Sequence, residues 1–163
     1  SALLFIFCVL TAIPPLHAEA PIEVYFSPKD HCDQKLIQQL NSAKKSLDIA
    51  IYSLSKEDIA AAVAAAKARG VQVRIVTDKQ QAGGKYSKDE YLRAHGITVL
   101  EDTHAGLMHD KFAVIDDRIV ITGSYNWTNG ATYKNDENMV IIRTPEIVTR
   151  FEQEFTRLLE ENK

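Results

Sequence analysis

"HDKFAVIDDRIVITGSYNWT", residues 109–128, divides into two β-branched and aromatic runs, KFAVID and RIVITGS, joined at Asp116-Asp117, a pair that favours turns. In an extended strand successive side chains alternate between faces, so His109, Lys111, Ala113 and Ile115 share one face by construction. On the second run Gly123 offers no side chain to block close approach, and Ser124 and Asn126 follow on matching parity. A hydrophobic hairpin that sets an imidazole, an ammonium, a hydroxyl and a carboxamide within reach of one another is unusual for a core element. Asp116 has the opposite parity and sits at the turn, where it is expected to hold the turn or a neighbouring group.

Working outward, IEVYFSP (22–28) reads as a strand ended by proline, and Asp30 to Lys45 carries apolar residues at helical spacing. SLDIAIYSL (46–54) is a second strand. Ser55 is the expected N-cap of an alanine-rich helix with Glu57 and Asp58 in its first turn and Gly70 just past its end. VQVRIVTD is a third strand, residues 79–90 a polar loop, and a short helix ends near His95-Gly96 before a fourth strand, ITVLED. After the hairpin come the strand ENMVIIRT and an amphipathic helix opened by Pro145. Strand–helix alternation followed by consecutive strands predicts an α/β fold, a mixed sheet flanked by helices on both faces.

The length of 163 residues suits one domain. With 45% apolar and 25% charged residues the composition is that of a globular protein. A formal charge of −3 gives no global attraction to nucleic acid or anionic lipid, so any anion must be held by a local basic cluster. Residues 1–20, SALLFIFCVLTAIPPLHAEA, are too short an apolar run for a bilayer span and fit a signal peptide with a small-residue cleavage site, leaving 21–163 as one catalytic domain. The basic residues that open such a leader are not in the sequence given. Export, to the periplasm or the medium, is the expectation, with no stable membrane association after cleavage; the alternative is a membrane anchor formed by residues 2–13. Loss of Cys8 with the leader leaves Cys32 alone, so neither an internal disulfide nor a structural zinc site is expected.

The His109 set suits phosphate. Lys111 neutralises phosphoryl oxygens, Ser124 and Asn126 donate hydrogen bonds to them, and His109 attacks phosphorus or protonates a leaving oxygen. A lone His-x-Lys is usually accidental, but His109, Lys111, Asp116, Gly123-Ser124 and Asn126 match the HxKx4Dx6GSxN signature of the phospholipase D superfamily. The chain resembles the small bacterial endonucleases of that superfamily (Nuc-like), which carry a leader and one copy of the motif. SAKKSLDIAIYSL and KARGVQVRIVTD resemble the corresponding family segments.

The resemblance implies a phospholipase D-like α/β sandwich and a nonspecific, metal-independent phosphodiesterase acting on DNA, or on RNA, through a covalent phosphohistidine, with no cofactor. It places His109, Lys111, Asp116 and Glu137 in the catalytic set, Glu137 as hydrogen-bond partner of the histidine, and Asp116 in a structural or supporting role. Two imidazoles are needed and no second HxK occurs, so the resemblance implies a homodimer whose site is shared across the two-fold. Lys79, Lys85, Lys88 and Lys134 are candidates for tracking a phosphate backbone, and Trp127 for base stacking or, slightly favoured, for packing. His104 is expected to be a loop residue. The alternatives are a lipid phosphodiesterase of the cardiolipin type and a non-catalytic nucleic-acid-binding module of the same fold.

Overall fold

The computed structural model describes residues 20–163, so the leader expected over residues 1–20 lies, apart from Ala20, outside the described residues. Seven strands form one sheet in the order β1 (Ile22–Ser27), β7 (Glu137–Ile142), β6 (Ile119–Gly123), β5 (Lys111–Ile115), β2 (Ser46–Ile51), β3 (Gln72–Thr77), β4 (Thr98–Glu101). The β2, β3 and β4 strands are parallel, and every other pairing is antiparallel. This is the mixed sheet expected from the order of elements.

Alternation along β5 serves two cores at once. Ala113 and Ile115 join the cluster beneath α1 (Cys32–Ser42), α2 (Glu57–Ala68) and α4 (Asp89–Ala94), with Leu36, Leu40, Ile59, Val63 and Leu92. Phe112 and Val114 face the opposite cluster, where α6 (Pro145–Glu161) supplies Val148, Phe155, Leu158 and Leu159. Helices therefore cover both faces. Cys32 is fully buried and unpaired, and burial pushes its thiol up, so it is unavailable for cross-linking. The outer strand β1 leaves Ile22, Val24 and Phe26 half exposed.

The connections hold the departures from expectation. Ser55 does not cap α2: its N–H and that of Lys56 both donate to the Trp127 carbonyl at 3.0 Å, and no side chain caps the helix. The polar loop begins with a helical turn, α3 (Lys79–Ala82), because the buried Asp78 carboxylate accepts from the Gln80 and Gln81 N–H groups. Thr128 does the same for α5 (Asn129–Tyr133), an element with too few residues to show periodicity.

The β5–β6 turn is the joint that positions the site. Asp116 and Asp117 are both left-handed (φ 53° and 56°), a conformation that short polar side chains tolerate. The Asp116 carboxylate accepts from the backbone N–H of Lys44 (2.9 Å), Lys45 (2.6 Å) and Ser46 (3.0 Å), fastening the hairpin to the start of β2. Burial disfavours its charge, but the three donors outweigh that and hold the carboxyl below its ordinary value. Asp116→Ala is expected to destabilise the fold by about 2–3 kcal/mol, the scale of charged hydrogen bonds left unmade. A carboxyl depressed in the folded state contributes above the ordinary carboxylate range and loses that contribution as pH falls through its folded value. Urea unfolding at successive pH values should therefore show the gap between native and variant protein narrowing in acid.

Candidate active site

The hairpin register brings one end of each central strand together. Lys111 opens β5 opposite Ile51 of β2, β6 ends at Gly123, and Glu137 opens β7. His109, Lys111, Thr122, Ser124, Asn126 and Glu137 consequently line one open cleft of about 480 Å³. Five of the residues singled out in the sequence are thus brought together. Asp116 is not: five residues further along at about 3.3 Å each, it lies roughly 16 Å from Lys111. Although the motif groups it with the catalytic residues, its carboxylate is committed to backbone amides at the start of β2 and does not reach the cleft.

Around His109 the contacts are local. Lys111 Nζ lies 3.1 Å from His109 Nδ1 and donates to the His109 carbonyl at 2.5 Å. Lys111 stands at Nδ1, and no described residue hydrogen-bonds Nε2, the ring nitrogen that is left accessible. Tyr52, just after β2, packs its ring on the imidazole at 4.5 Å between centroids and also lies 5.1 Å from the Lys111 ammonium. Gln81 donates to the Tyr52 hydroxyl, and the Tyr52 N–H donates to the Asp110 carbonyl. Burial lowers the Lys111 pKa, and the carboxylates of Asp110 and Glu137 oppose that shift. Tyr52 is a residue that sequence reading missed, because its place beside His109 depends on the pairing of β2 with β5.

Glu137 does not meet His109. Its Oε2 accepts from Ser124 Oγ at 2.5 Å and its Oε1 from Asn135 Nδ2 at 3.0 Å, while Lys111 occupies Nδ1 of the imidazole. Ser124 Oγ in turn accepts from the Asn138 N–H at 3.1 Å. Asn126 places a buried Oδ1 without a partner among the described residues, an unsatisfied polar atom of the kind that marks a binding site.

The outer candidates lie away from this cleft. Lys79 donates to the His104 carbonyl at 2.6 Å, Lys85 lies over the exposed Tyr86 ring, Lys88 lies 3.9 Å from Glu57, and Lys134 is exposed at the end of α5. Trp127 is buried, bridged to Leu54 and packed in the core, which leaves it no face for stacking on a base.

A family model described as "Cardiolipin synthase, PLD-like domain" matches residues 36–159. The chain belongs to the phospholipase D superfamily. Its chemistry is accordingly that of a family of phosphodiesterases, here with a single copy of the motif. Nuc of Salmonella typhimurium, a phospholipase D family member, superposes with a TM-score of 0.82 at 32% identity, over 87% of this chain and 95% of that one. Two relatives named mitochondrial cardiolipin hydrolase are similar in sequence. That of Chlamydomonas reinhardtii is 35% identical over 80% of this chain and 62% of its own length, and that of Xenopus tropicalis is 38% identical over 86% and 69%. The chain thus spans about two thirds of these curated relatives.

Their names correct the compartment expected from the leader. Relatives named for the mitochondrion stand against a periplasmic or secreted protein. The alternative anchor, residues 2–13, lies outside the described residues, and no described helix is long and apolar enough to cross a membrane.

Gly123 sets the closeness of β6 to β7. At φ 145° it occupies a conformation that L side chains rarely adopt, and a Cβ there would collide with the Asn138 carbonyl. Gly123→Ala is expected to cost about 2–3 kcal/mol through overpacking and to displace Ser124 from Glu137. Thermal unfolding would read the first effect, and loss of turnover out of proportion to the loss of fold the second.

Proposed function

We propose that this chain is an endonuclease that cleaves phosphodiesters of DNA or RNA, with His109 as nucleophile. The observation that carries the reading is the gathering of His109, Lys111, Ser124 and Asn126 along one polar, open cleft. As Lys111 turns from His109 Nδ1 to the phosphoryl oxygens, the ring takes the tautomer protonated at Nδ1, and the freed Nε2 lone pair attacks phosphorus, forming a P–N bond as the P–O bond to the leaving alcohol breaks. Lys111 neutralises the phosphoryl oxygens in a partly desolvated setting, where a charge counts for more than in water. Asn126 donates to a further oxygen, and the Ser124 hydroxyl, whose one proton is donated to Glu137 in the structure, turns it to another. Water then displaces the histidine, so the P–N bond breaks and a phosphomonoester leaves.

The leaving oxygen needs a proton and the entering water must lose one, so a second imidazole is required. In our reading a second copy of the chain supplies it, its own His109 facing the same phosphorus across a two-fold axis. Cations come from lysine and hydrogen bonds from amide and hydroxyl, so the route uses no metal and no cofactor. Nucleic acid is favoured by the near-complete coverage of Nuc, a small chain of the branch whose motif this sequence resembles.

A lipid phosphodiester is the second reading, favoured by the relatives named cardiolipin hydrolase. Supercoiled plasmid and cardiolipin vesicles, each incubated in excess chelator, separate the two. Nicking of plasmid without release of phosphatidic acid is expected, and the reverse would move the assignment to lipid. His109→Ala should lower turnover at least a thousandfold with the fold retained. Excess His109→Ala chains exchanged into native protein should poison activity, whereas unchanged activity after confirmed exchange would rule out the shared site.

A further inference from the structure

A second cleft, of about 620 Å³, opens on the other side of His109, between the loop 102–110 and the C-terminal end of α6. Its volume is within the range of small-ligand sites. Because His109 lines both clefts, a group bound here is continuous with a phosphate on the nucleophile.

The loop is built rather than merely present. His104 Nδ1 lies 2.6 and 2.7 Å from the two oxygens of Asp102, a carboxylate that is itself only 3% exposed. The backbone around the dyad is tied on every side. The Asp102 N–H donates to the Thr77 carbonyl, Lys79 Nζ to the His104 carbonyl, and the Met108 N–H to the buried Asp78 carboxylate. Thr103 donates through both its N–H and its hydroxyl to Asn162 Oδ1, at 2.8 and 2.9 Å, locking the loop to the end of α6. Gly106 keeps the remaining ring nitrogen uncovered, since a Cβ at that position would sit 2.9 Å from His104 Nε2.

The lining selects a class of ligand. Leu107, Met108 and Leu158 give apolar walls. Among the charged residues, Arg157 is already paired with Glu154 and Glu161, and Asp110 adds negative charge. A further phosphate finds no uncommitted cation in this lining and meets carboxylates. A neutral planar group with polar edges fits: apolar faces meet the walls and an edge meets His104. With Nδ1–H donated to Asp102, Nε2 of the neutral ring is an acceptor, so it is matched to an amino group.

Resting on the nucleic-acid reading above, we propose that this cleft seats the nucleobase next to the scissile phosphate and that His104, held by Asp102, is its specificity residue. Adenine, cytosine and guanine offer exocyclic amino groups to Nε2; thymine and uracil offer only a ring N3–H flanked by two carbonyl oxygens, which meet the carboxylates of this lining unfavourably. Asp102 is a positioning residue that sets the tautomer and the plane of the ring.

The test uses the full chain, a random-sequence oligonucleotide pool with sequencing of the cut ends, and bis(p-nitrophenyl) phosphate as a diester without bases. Native protein is expected to disfavour thymine at one position flanking the cut. His104→Ala should erase that bias and raise KM for oligonucleotides about tenfold, and the ratio of oligonucleotide to small-diester efficiency should fall by a similar factor. His104→Phe retains a flat ring without the acceptor, so it should recover part of the KM while the bias stays lost. Asp102→Asn should blur the bias, with circular dichroism confirming the fold. If native protein cuts oligonucleotides and His104→Ala leaves both KM and the cut pattern unchanged, the subsite is overturned and the endonuclease assignment stands. Equal losses on oligonucleotide and small diester would overturn it too, by placing His104 in the chemistry. If native protein hydrolyses the small diester but no nucleic acid, the substrate reading fails and the subsite with it.

Discussion

One carboxylate determines where the reactive groups of this protein come to rest. Asp116 grips three consecutive backbone amides at the start of β2 while its own backbone makes the tight turn between β5 and β6. That grip sets the register of the hairpin against β2, and in a sheet a slip of one residue turns every side chain to the opposite face. A misregistered β5 would send Lys111 into the α6 core and Phe112 to the cleft. Chemistry at one end of the sheet is thus specified from the other end, by a residue that touches no reactant.

What could be read from the sequence followed from the period of two. His109 and Lys111 are neighbours in any extended chain, and the Gly-Ser-x-Asn segment must lie opposite once Asp116-Asp117 is recognised as a turn. The strand and helix order was legible for the same reason, because long periodic segments carry their own signal. The remainder depended on which strands pair and on what competes for each polar atom. Tyr52 reaches His109 only because β2 lies beside β5. Glu137 was a reasonable partner for the imidazole, yet Ser124 and Asn135 are nearer and satisfy both of its oxygens. Ser55 had the right chemistry to cap α2, and tertiary contact with the Trp127 carbonyl took its backbone instead. The Asp102–His104 pair is close in sequence but gains its meaning from burial of the carboxylate, which no local pattern reveals.

The acidic balance of the chain and a phosphate-handling cleft are compatible because the positive charge is local. Lys111 stands inside the cleft, while the other lysines once considered for the substrate path lie outside its lining. Affinity for a polyanion would then rest on few charges, and a modest dependence on ionic strength accompanies a small number of phosphate contacts. Grip would then come in good part from uncharged contacts, the part that the proposed base cleft beside the nucleophile would play.

Lys111 donates to the carbonyl of His109 and faces a ring nitrogen of the same residue. An ammonium has three N–H groups, so in the proposed reaction a phosphoryl oxygen need not displace the carbonyl, and its negative charge draws Lys111 more strongly than a neutral acceptor does. The carbonyl contact would then act as a tether that keeps the cation within reach of the cleft. On that reading the cation is prepositioned by its own backbone, so little ordering is left to be done when substrate binds.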